Sequence, residues 1–430
     1  RFVQVRCFGE GMRKVFGNLT LRGKKHASGM SSFQAAATSV AAQVGTGNVV
    51  GCATAILLGG PGAVFWVWVA AFLGMSTIYA EAVLAQKYKT RGPDGQVIGG
   101  PVYYIRARFQ GGFGKFLAGF FAVAIILALG LMGNMVQSNS ISSSFETAFG
   151  VPKPVVGVIV AVLAGFIFMG GVKRIASVTE KLVPIMAICY LVGSLIVIGA
   201  HITAVPEVFR QIFVGAFDPQ AVLGGGVGVG MMTAMRYGVA RGVFTNEAGM
   251  GSSAMAHAAA QVTAPAEEGM WGIFEVGIAT LAVCSVTALV ILTSGVYDPQ
   301  AALDAIGRGT VSGSLLGAPL SAAAFSTVFG PYGGLFVSVC LLLFAFTSLL
   351  GWSYYGERGL SYLTGSRRAC ALYRAVFLVM VVLGSVGDVS AVWQLADIFN
   401  GLMAMPNLAA LLLLTPEALR LLHHWRAHQP

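Results

Sequence analysis

AAQVGTGNVVG, residues 41–51, lies in the middle of an apolar run, 32–58, that is long enough to cross a lipid bilayer. At 1.5 Å per residue, a helix over that run is about 40 Å long, which puts Gly45-Thr46-Gly47-Asn48 near the bilayer midplane. Glycine weakens a helix by about 1 kcal/mol relative to alanine. Thr and Asn side chains also compete for the hydrogen bonds of the helical backbone. The stretch therefore predicts a membrane helix that is broken at mid-depth.

The composition of the whole chain is that of an integral membrane protein. Of the 430 residues, 56% are hydrophobic and only 10% are charged, and the mean hydropathy is +0.77. The long apolar runs exclude a soluble globular protein, and the absence of regular alternation argues against a barrel. We predict an all-α fold with about ten spans, at 32–58, 62–87, 114–143, 153–171, 177–200, 227–261, 271–294, 332–356, 370–386 and 390–413.

The Lys and Arg residues predict the orientation of the spans. If the segment before the first span is cytoplasmic, most of the 27 Lys and Arg residues fall on that side, which we call the basic face. Only Lys153, Arg210 and Arg308 fall on the other side, and Arg236 and Arg241 lie within the sixth span. The net charge of +10 is then explained by contact with anionic membrane lipid, and nucleic acid is not needed as a partner.

Two stretches between spans are too polar or too short to cross the bilayer. They are GGPVYYIRARFQGGFG at 99–114 and YDPQAALDAIGRGTVSGSLLGAPL at 297–320. We expect both to be interfacial, the second as a re-entrant or surface hairpin.

A second polar interruption lies about half a chain after the first. The sixth span contains ARGVFTNEAGMGSSAMAH, residues 240–257, with Thr245, Asn246, Glu247 and two glycines near its middle. Each break alone is compatible with small-residue helix packing. Together they mark the first spans of two halves, each with five spans. Because five is an odd number, the second half enters the membrane from the side opposite to the first half. This is the pattern of inverted-repeat secondary transporters.

The chemistry of two broken helices indicates a binding site. Freed backbone groups are tolerated at membrane depth only where they face a cavity. Half-helix amino termini favour a carboxylate, and half-helix carboxyl termini favour a cation. An amino acid with a sodium ion satisfies both. No phosphate-binding loop, nucleophile elbow or zinc-protease motif is present, so we predict no enzyme activity, and an ion gradient is the expected energy source. The six cysteines have no metal-ligand spacing.

Four blocks of sequence are similar to the alanine/glycine:cation symporter family. They are GTGNVVGCATAILLGGPGAVFWVWVAAFLGM at 45–75, GGPVYYI at 99–105, GVARGVFTNEAGMGSSAMAHAAA at 238–260 and TSLLGWSYYGER at 347–358. The resemblance implies a bacterial inner-membrane carrier with the leucine-transporter fold. Members usually have a further hydrophobic helix ahead of the first broken one, so the resemblance implies that the chain is truncated or that this member lost that helix.

The resemblance also implies a set of site residues. Trp352 would cap the pocket, although a tryptophan of the membrane interface remains the alternative. For Gln137 the alternative to substrate binding is an interhelical hydrogen bond, and for Phe244 it is packing in the core. The implied substrate-binding residues are Thr46, Gly47, Asn48, Gln137, Phe244, Thr245, Asn246, Ser348 and Trp352, and the implied sodium ligands are Thr347 and Ser348 with the backbone carbonyls of Ala41 and Val44.

The predicted function is sodium-coupled symport of small neutral amino acids, alanine or glycine, by alternating access. Proton-coupled symport is the alternative, and an ion channel is a weaker one. We expect Glu247 to pair with Arg241, with a proton-carrying role as the alternative, and Glu81 and Glu275 to reach water near the basic face. The predicted parts are a cytoplasmic amino-terminal segment (1–31), the first repeat (32–200), an extracellular connection (201–226), the second repeat (227–413) and a cytoplasmic tail (414–430).

Overall fold

A computed structural model describes residues 2–17, 30–92, 95–223, 230–300, 313–387 and 390–428. The described part is helical apart from a two-stranded antiparallel ribbon, β1 (Thr90–Arg91) and β2 (Val97–Ile98). In chain order the helices of the first half are α1 (Val3–Arg6), α2 (Phe8–Gly17), α3 (Ser32–Gln43), α4 (Cys52–Gly59), α5 (Ala63–Lys87), α6 (Pro101–Arg108), α7 (Gly111–Ile125), α8 (Asn134–Phe149), α9 (Lys153–Phe168) and α10 (Gly171–Ala200).

The second half follows a short connection formed by the turn Ile202–Ala204 and two helices, α11 (Val205–Phe217) and α12 (Pro219–Leu223). Its helices are α13 (Met231–Asn246), α14 (Ala254–Ala259), α15 (Pro265–Val276), α16 (Ser285–Thr293), α17 (Gly313–Phe329), α18 (Tyr332–Thr364), α19 (Arg367–Val386) and α20 (Ser390–Ala427).

The predicted spans correspond to these helices. Seven continuous helical segments are long and apolar enough to cross a membrane, and an eighth is a pair, Ser32–Gln43 and Gly47–Gly59, bent by 51°. The shorter apolar helix α9 and the two-part helix α13–α14 account for the fourth and sixth spans. Both predicted breaks are therefore present.

Three π-helical segments widen the spans at mid-depth. They are Gly47–Gly51 after the first break, Ile126–Gly133 between α7 and α8, and Gly277–Cys284 between α15 and α16. A π turn inserts an extra residue and displaces the carbonyls that follow, which is why such turns are frequent at functional sites. Nothing in the apolar sequence of these segments indicates a π turn.

The two stretches predicted to be interfacial are each buried in part. In stretch 99–114 the short helix α6 buries Tyr104 and Ile105 completely against α7 and α20, whereas residues 106–108 and 110–113 are exposed. Of stretch 297–320, residues 301–312 lie outside the described part. Residues 313–320 belong to α17, which packs on α4 and on the π segment Gly47–Gly51 that precedes α4. A Cβ on Gly317 would overlap the carbonyl of Val50, so this glycine permits the close approach.

The loops of the basic face gather at one end of the bundle. A hollow of about 440 Å³ is lined there by residues of the ribbon, of the α9–α10 turn and of the α18–α19 turn, among them Lys173, Arg358, Arg367 and Arg374. At the same end α3 packs against α10 and α18, and Thr38 hydrogen-bonds Thr179 at 3.2 Å. Residues 35–50 around the first break are all buried, so within the described part the break has no opening towards the basic face.

Candidate functional site

The side chain of Asn48 stabilises the first break. Helix α3 ends before Val44, whose ψ of 89° leaves the helical region. The side chain of Asn48 accepts a hydrogen bond from the Gly45 amide at 3.0 Å and donates to the carbonyl of Ala279 at 2.6 Å. Because Ala279 belongs to the π segment Gly277–Cys284, Asn48 joins the first and seventh spans. Its amide group supports the shape of the break, and direct contact with substrate remains a prediction.

Gln137 and Thr46 meet at the same break. The Thr46 amide donates to the Gln137 side-chain oxygen at 3.1 Å, so the interhelical bond given above as the alternative for Gln137 is present. The Thr46 hydroxyl is buried and has no hydrogen-bond partner. A buried hydroxyl without a partner costs about 1–3 kcal/mol, and a bound polar molecule would remove that cost.

The second break begins where α13 ends at Asn246. Glu247 adopts a left-handed conformation with φ 54°, and Gly249 and Gly251 follow with φ 89° and 81°. The hydroxyl of Thr245 lies 3.0 Å from that of Thr280. The side-chain oxygen of Asn246 accepts from the Ala248 amide at 3.0 Å. The second break is thus also joined to the π segment of the seventh span.

Aromatic rings enclose the space between the two breaks. The Phe244 ring lies edge-on to Trp352, with centroids 6.3 Å apart, and 5.7 Å from Trp393. A Cβ on Gly47 would come within 2.7 Å of the Phe244 ring. Trp352 is 2% exposed, and its indole N–H donates to Glu247 at 2.7 Å. The alternative of an interfacial tryptophan was therefore wrong, and the space left for a ligand is small.

The predicted sodium ligands are brought together in part. The Ser348 hydroxyl lies 3.1 Å from the carbonyl of Ala41 at the end of α3, as the prediction required. The Thr347 hydroxyl instead contacts the sulfur of Met186 at 3.5 Å and carbonyls of its own helix. Ser348 and Ala41 therefore supply hard oxygen atoms of the kind that suit a sodium ion, and the roles of Thr347 and Val44 remain predictions.

Three expectations about charged residues were wrong. Arg241 does not pair with Glu247. It lies 3.4 Å from Asp397 of α20 and over the Trp393 ring at 5.3 Å, because the left-handed turn points Glu247 towards Trp352. Glu81 and Glu275 do not reach water, since both are completely buried.

Sequence reasoning also missed Asn407. Its amide donates to Glu81 at 2.6 Å and to the carbonyl of Gly249 at 2.9 Å, and its oxygen accepts from the Tyr104 hydroxyl. We call these four residues the Asn407 knot. The available signal was an asparagine in an otherwise apolar span, AMPNLAA at 404–410, which membrane physics marks as functional or structural.

A cleft of about 350 Å³ opens on the face opposite the basic one. Polar residues of α8, the helix α17 and the start of α18 line it, and its inner end reaches Val50 and Trp393. Trp393 also packs against Phe244, and the Arg241–Asp397 pair lies beside these rings.

Comparisons with known proteins concern the chain as a whole. A model described as the sodium:alanine symporter family matches residues 1–430. The chain is 41% identical to the sodium/alanine symporter AgcS of Methanococcus maripaludis, over 90% of this chain and 82% of that protein. It is 40% identical to a putative sodium/proton-dependent alanine carrier protein, YrbD, of Bacillus subtilis, over 97% and 84%. A solved outward-open Na⁺-coupled sialic acid symporter matches with a TM-score of 0.59 and 12% identity, over 93% and 84%. The last likeness concerns the fold alone.

Proposed function

Because this chain belongs to the sodium:alanine symporter family, we propose that it carries a small neutral amino acid, alanine or glycine, into the cell together with Na⁺. The chain is a multi-pass membrane protein and a secondary amino-acid symporter, not an enzyme. It has the leucine-transporter fold, a five-plus-five inverted repeat whose first and sixth helices are broken. The observation that carries the proposal is the junction of the first break with α18, where Ser348 contacts the Ala41 carbonyl at 3.1 Å.

Sodium would bind first at this junction. The ion would take the Ser348 hydroxyl and the Ala41 carbonyl as ligands, with the Val44 carbonyl and Thr347 completing the shell. Occupancy would fix the end of α3 and so order the Gly45–Asn48 turn, which raises the affinity for the amino acid. The coupling arises because one segment serves both ligands.

The amino acid would lie between the two breaks. The unpartnered Thr46 hydroxyl supplies a donor for a carboxylate, and the oxygens of Gln137 and Thr245 are candidate acceptors for the amino group. Phe244, Trp352 and Gly47 leave little volume for a side chain. This crowding favours alanine or glycine over larger substrates.

Transport would proceed by alternating access. In the present state the contact of Thr38 with Thr179 closes the basic face, which we place in the cytoplasm by the positive-inside rule. On the opposite face, the Arg241–Asp397 pair and the ring of Trp393 would open and close the access to the site. The bundle of spans 1, 2, 6 and 7 would then rock against spans 3, 4, 8 and 9, which exposes the site to the cytoplasm. The repeats would comprise 32–200 and 227–413, in a bacterial inner membrane.

Replacing Ser348 with alanine tests the proposal. In proteoliposomes with an inward sodium gradient, the wild-type protein should take up labelled alanine or glycine. We expect Ser348→Ala to raise the sodium concentration for half-maximal uptake by about tenfold, equivalent to one lost ion–oxygen interaction of about 1.4 kcal/mol. Ser353→Ala is the matched control, since Ser353 is equally buried on the same helix but bonds only the Leu350 carbonyl.

Three outcomes would contradict the proposal. Wild-type uptake that responds to a proton gradient but not to sodium would favour proton-coupled symport. Absence of counterflow exchange between labelled and unlabelled alanine, despite a net flux, would indicate a channel. An unchanged sodium dependence in Ser348→Ala would remove this junction from the sodium site.

A further inference from the structure

A buried histidine lies between two buried carboxylates on the basic-face side of the second break. His257 of α14 contacts Glu268 through Nδ1 at 2.9 Å and Glu275 through Nε2 at 3.1 Å. The side chains of all three residues are 0% exposed. We call these residues the His257 cluster. It joins α14 to α15, and it shares no residue with the substrate or sodium sites proposed above.

The surroundings of the cluster contain more acid than base. Glu81 of α5 faces His257, and Glu247 faces Glu275. Besides His257, Lys89 also interacts electrostatically with Glu268, and its ammonium group bonds Gln86 and the Ala260 carbonyl. Other charged groups on the packed elements are engaged or exposed: Glu10 pairs with Arg426, Arg13 is exposed, Glu417 pairs with Lys87, Glu357 pairs with Arg374, and Arg358 lies over the Tyr354 ring. One imidazole therefore faces an excess of buried carboxyl groups.

Such an excess requires protons or a cation. A buried carboxylate without a compensating positive charge costs several kcal/mol. The second oxygens of Glu268 and Glu275, with the hydroxyl of Tyr355 and the side-chain oxygen of Gln43, are buried polar atoms that have no hydrogen-bond partner. Tyr355 of α18 faces Glu275 and Glu247. The carboxylate and amide oxygens among them are acceptors that lack a hydrogen, whereas the Tyr355 hydroxyl can itself donate one.

The geometry favours a proton over a metal ion as the missing charge. Both nitrogens of His257 are already engaged by carboxylates, so neither is free to ligate a metal. Within the described residues, no group of three or more His, Cys, Asp or Glu side chains has an arrangement that could hold a metal ion. A carboxyl proton, in contrast, needs no further ligand.

The cluster is connected to the substrate pocket. Trp352, which lies against Phe244, donates to Glu247 at 2.7 Å. Glu247 accepts from Ser252, which precedes α14. Gln43 at the end of α3 donates to Ser253 at 3.1 Å. A movement of α3 or α14 during transport would therefore change the environment of both the pocket and the cluster.

We propose that the His257 cluster binds one exchangeable proton, which is carried inward with the amino acid as a second coupling ion. The proposal rests on the proposed symport function. The proton neutralises the shared carboxylates while the basic face is closed. When α3 and α14 swing together away from α18, water reaches the cluster and the proton leaves to the cytoplasm.

The test measures protons and alanine together. Proteoliposomes hold a pH-sensitive dye, with equal sodium on both sides and the membrane potential clamped at zero. We expect external alanine to acidify the lumen of wild-type vesicles in proportion to the labelled alanine that enters. Alanine entry without acidification would overturn the proton proposal but leave symport intact. Absence of alanine entry, also with a sodium gradient, would instead refute the proposed function.

Substitutions assign the proton to the cluster. In Glu275→Gln the acidification per alanine should fall to the leak of empty vesicles, and Glu268→Gln serves as a second variant if the first does not fold. Glu267→Gln is the matched control, because Glu267 is adjacent in sequence but partly exposed and bonded to Thr263. A wild-type ratio of protons to alanine in a folded Glu275→Gln or Glu268→Gln protein would overturn the assignment. If neither variant folds, the wild-type measurement still decides whether a proton is carried.

Discussion

Gly45→Ala is expected to abolish amino-acid uptake. A Cβ at this position would lie 2.8 Å from the side-chain nitrogen of Gln137 and would overlap the Ser348 hydroxyl. Both neighbours are fixed, Gln137 by the Thr46 amide and Ser348 by the Ala41 carbonyl. The added methyl group therefore displaces the substrate turn and the proposed sodium ligand together. We expect uptake to fall by at least about 100-fold, or more than about 2.7 kcal/mol of transition-state stabilisation.

The matched control is another glycine in a membrane helix. A Cβ added to Gly401 of α20 would meet no atom within 4 Å, so Gly401→Ala should retain uptake and gain slightly in helix stability. Uptake by Gly45→Ala within a few-fold of the wild-type rate would show that this close packing is not needed for transport.

Asn407→Leu is expected to destabilise the protein more than other single changes in α20. Leucine has a similar volume but removes three hydrogen bonds, to Glu81, the Gly249 carbonyl and the Tyr104 hydroxyl. Each buried group left without a partner costs about 1–3 kcal/mol. Because Gly249 lies in the second break, that turn should also lose its fixed shape. We expect a loss of about 3–5 kcal/mol of stability.

Thermal unfolding of the detergent-solubilised protein measures this effect. Asn400→Leu is the control, since Asn400 lies two turns earlier on the same helix and its side-chain oxygen has no hydrogen-bond partner. We expect a clearly lower Tm for Asn407→Leu and little change for Asn400→Leu. Equal Tm values in the two variants would show that the Asn407 knot does not support the fold.

The breaks could be predicted because they depend on local chemistry. Glycines with Thr and Asn inside an apolar run weaken a helix wherever the run lies, and both interruptions are where the sequence indicated. The contact of Ser348 with Ala41 came from resemblance, and the structure confirms the proximity of these two residues. The direction of the Thr347 hydroxyl could not be predicted, because it depends on Met186 in a distant helix.

The sequence also does not reveal which residues the buried charged side chains contact. Arg241 and Glu247 are six residues apart, which suggested a pair, but the left-handed turn at Glu247 sends the two side chains to different helices. The positions of Glu81 and Glu275 near the ends of their spans suggest that both side chains reach water. Burial around such a residue is set by neighbouring spans, which periodicity along one span does not reveal.

One short backbone contact near the basic face links the two broken helices. Met30, just before α3, accepts from the Gln261 amide at 2.9 Å and donates to the Ala259 carbonyl at 2.8 Å, next to the end of α14. These bonds involve only main-chain atoms, so changes of side chain do not remove them. The basic-face halves of the two broken helices, α3 and α14, are thus joined by main-chain hydrogen bonds. They would move as one unit, so that water entering beside one half would also reach the other.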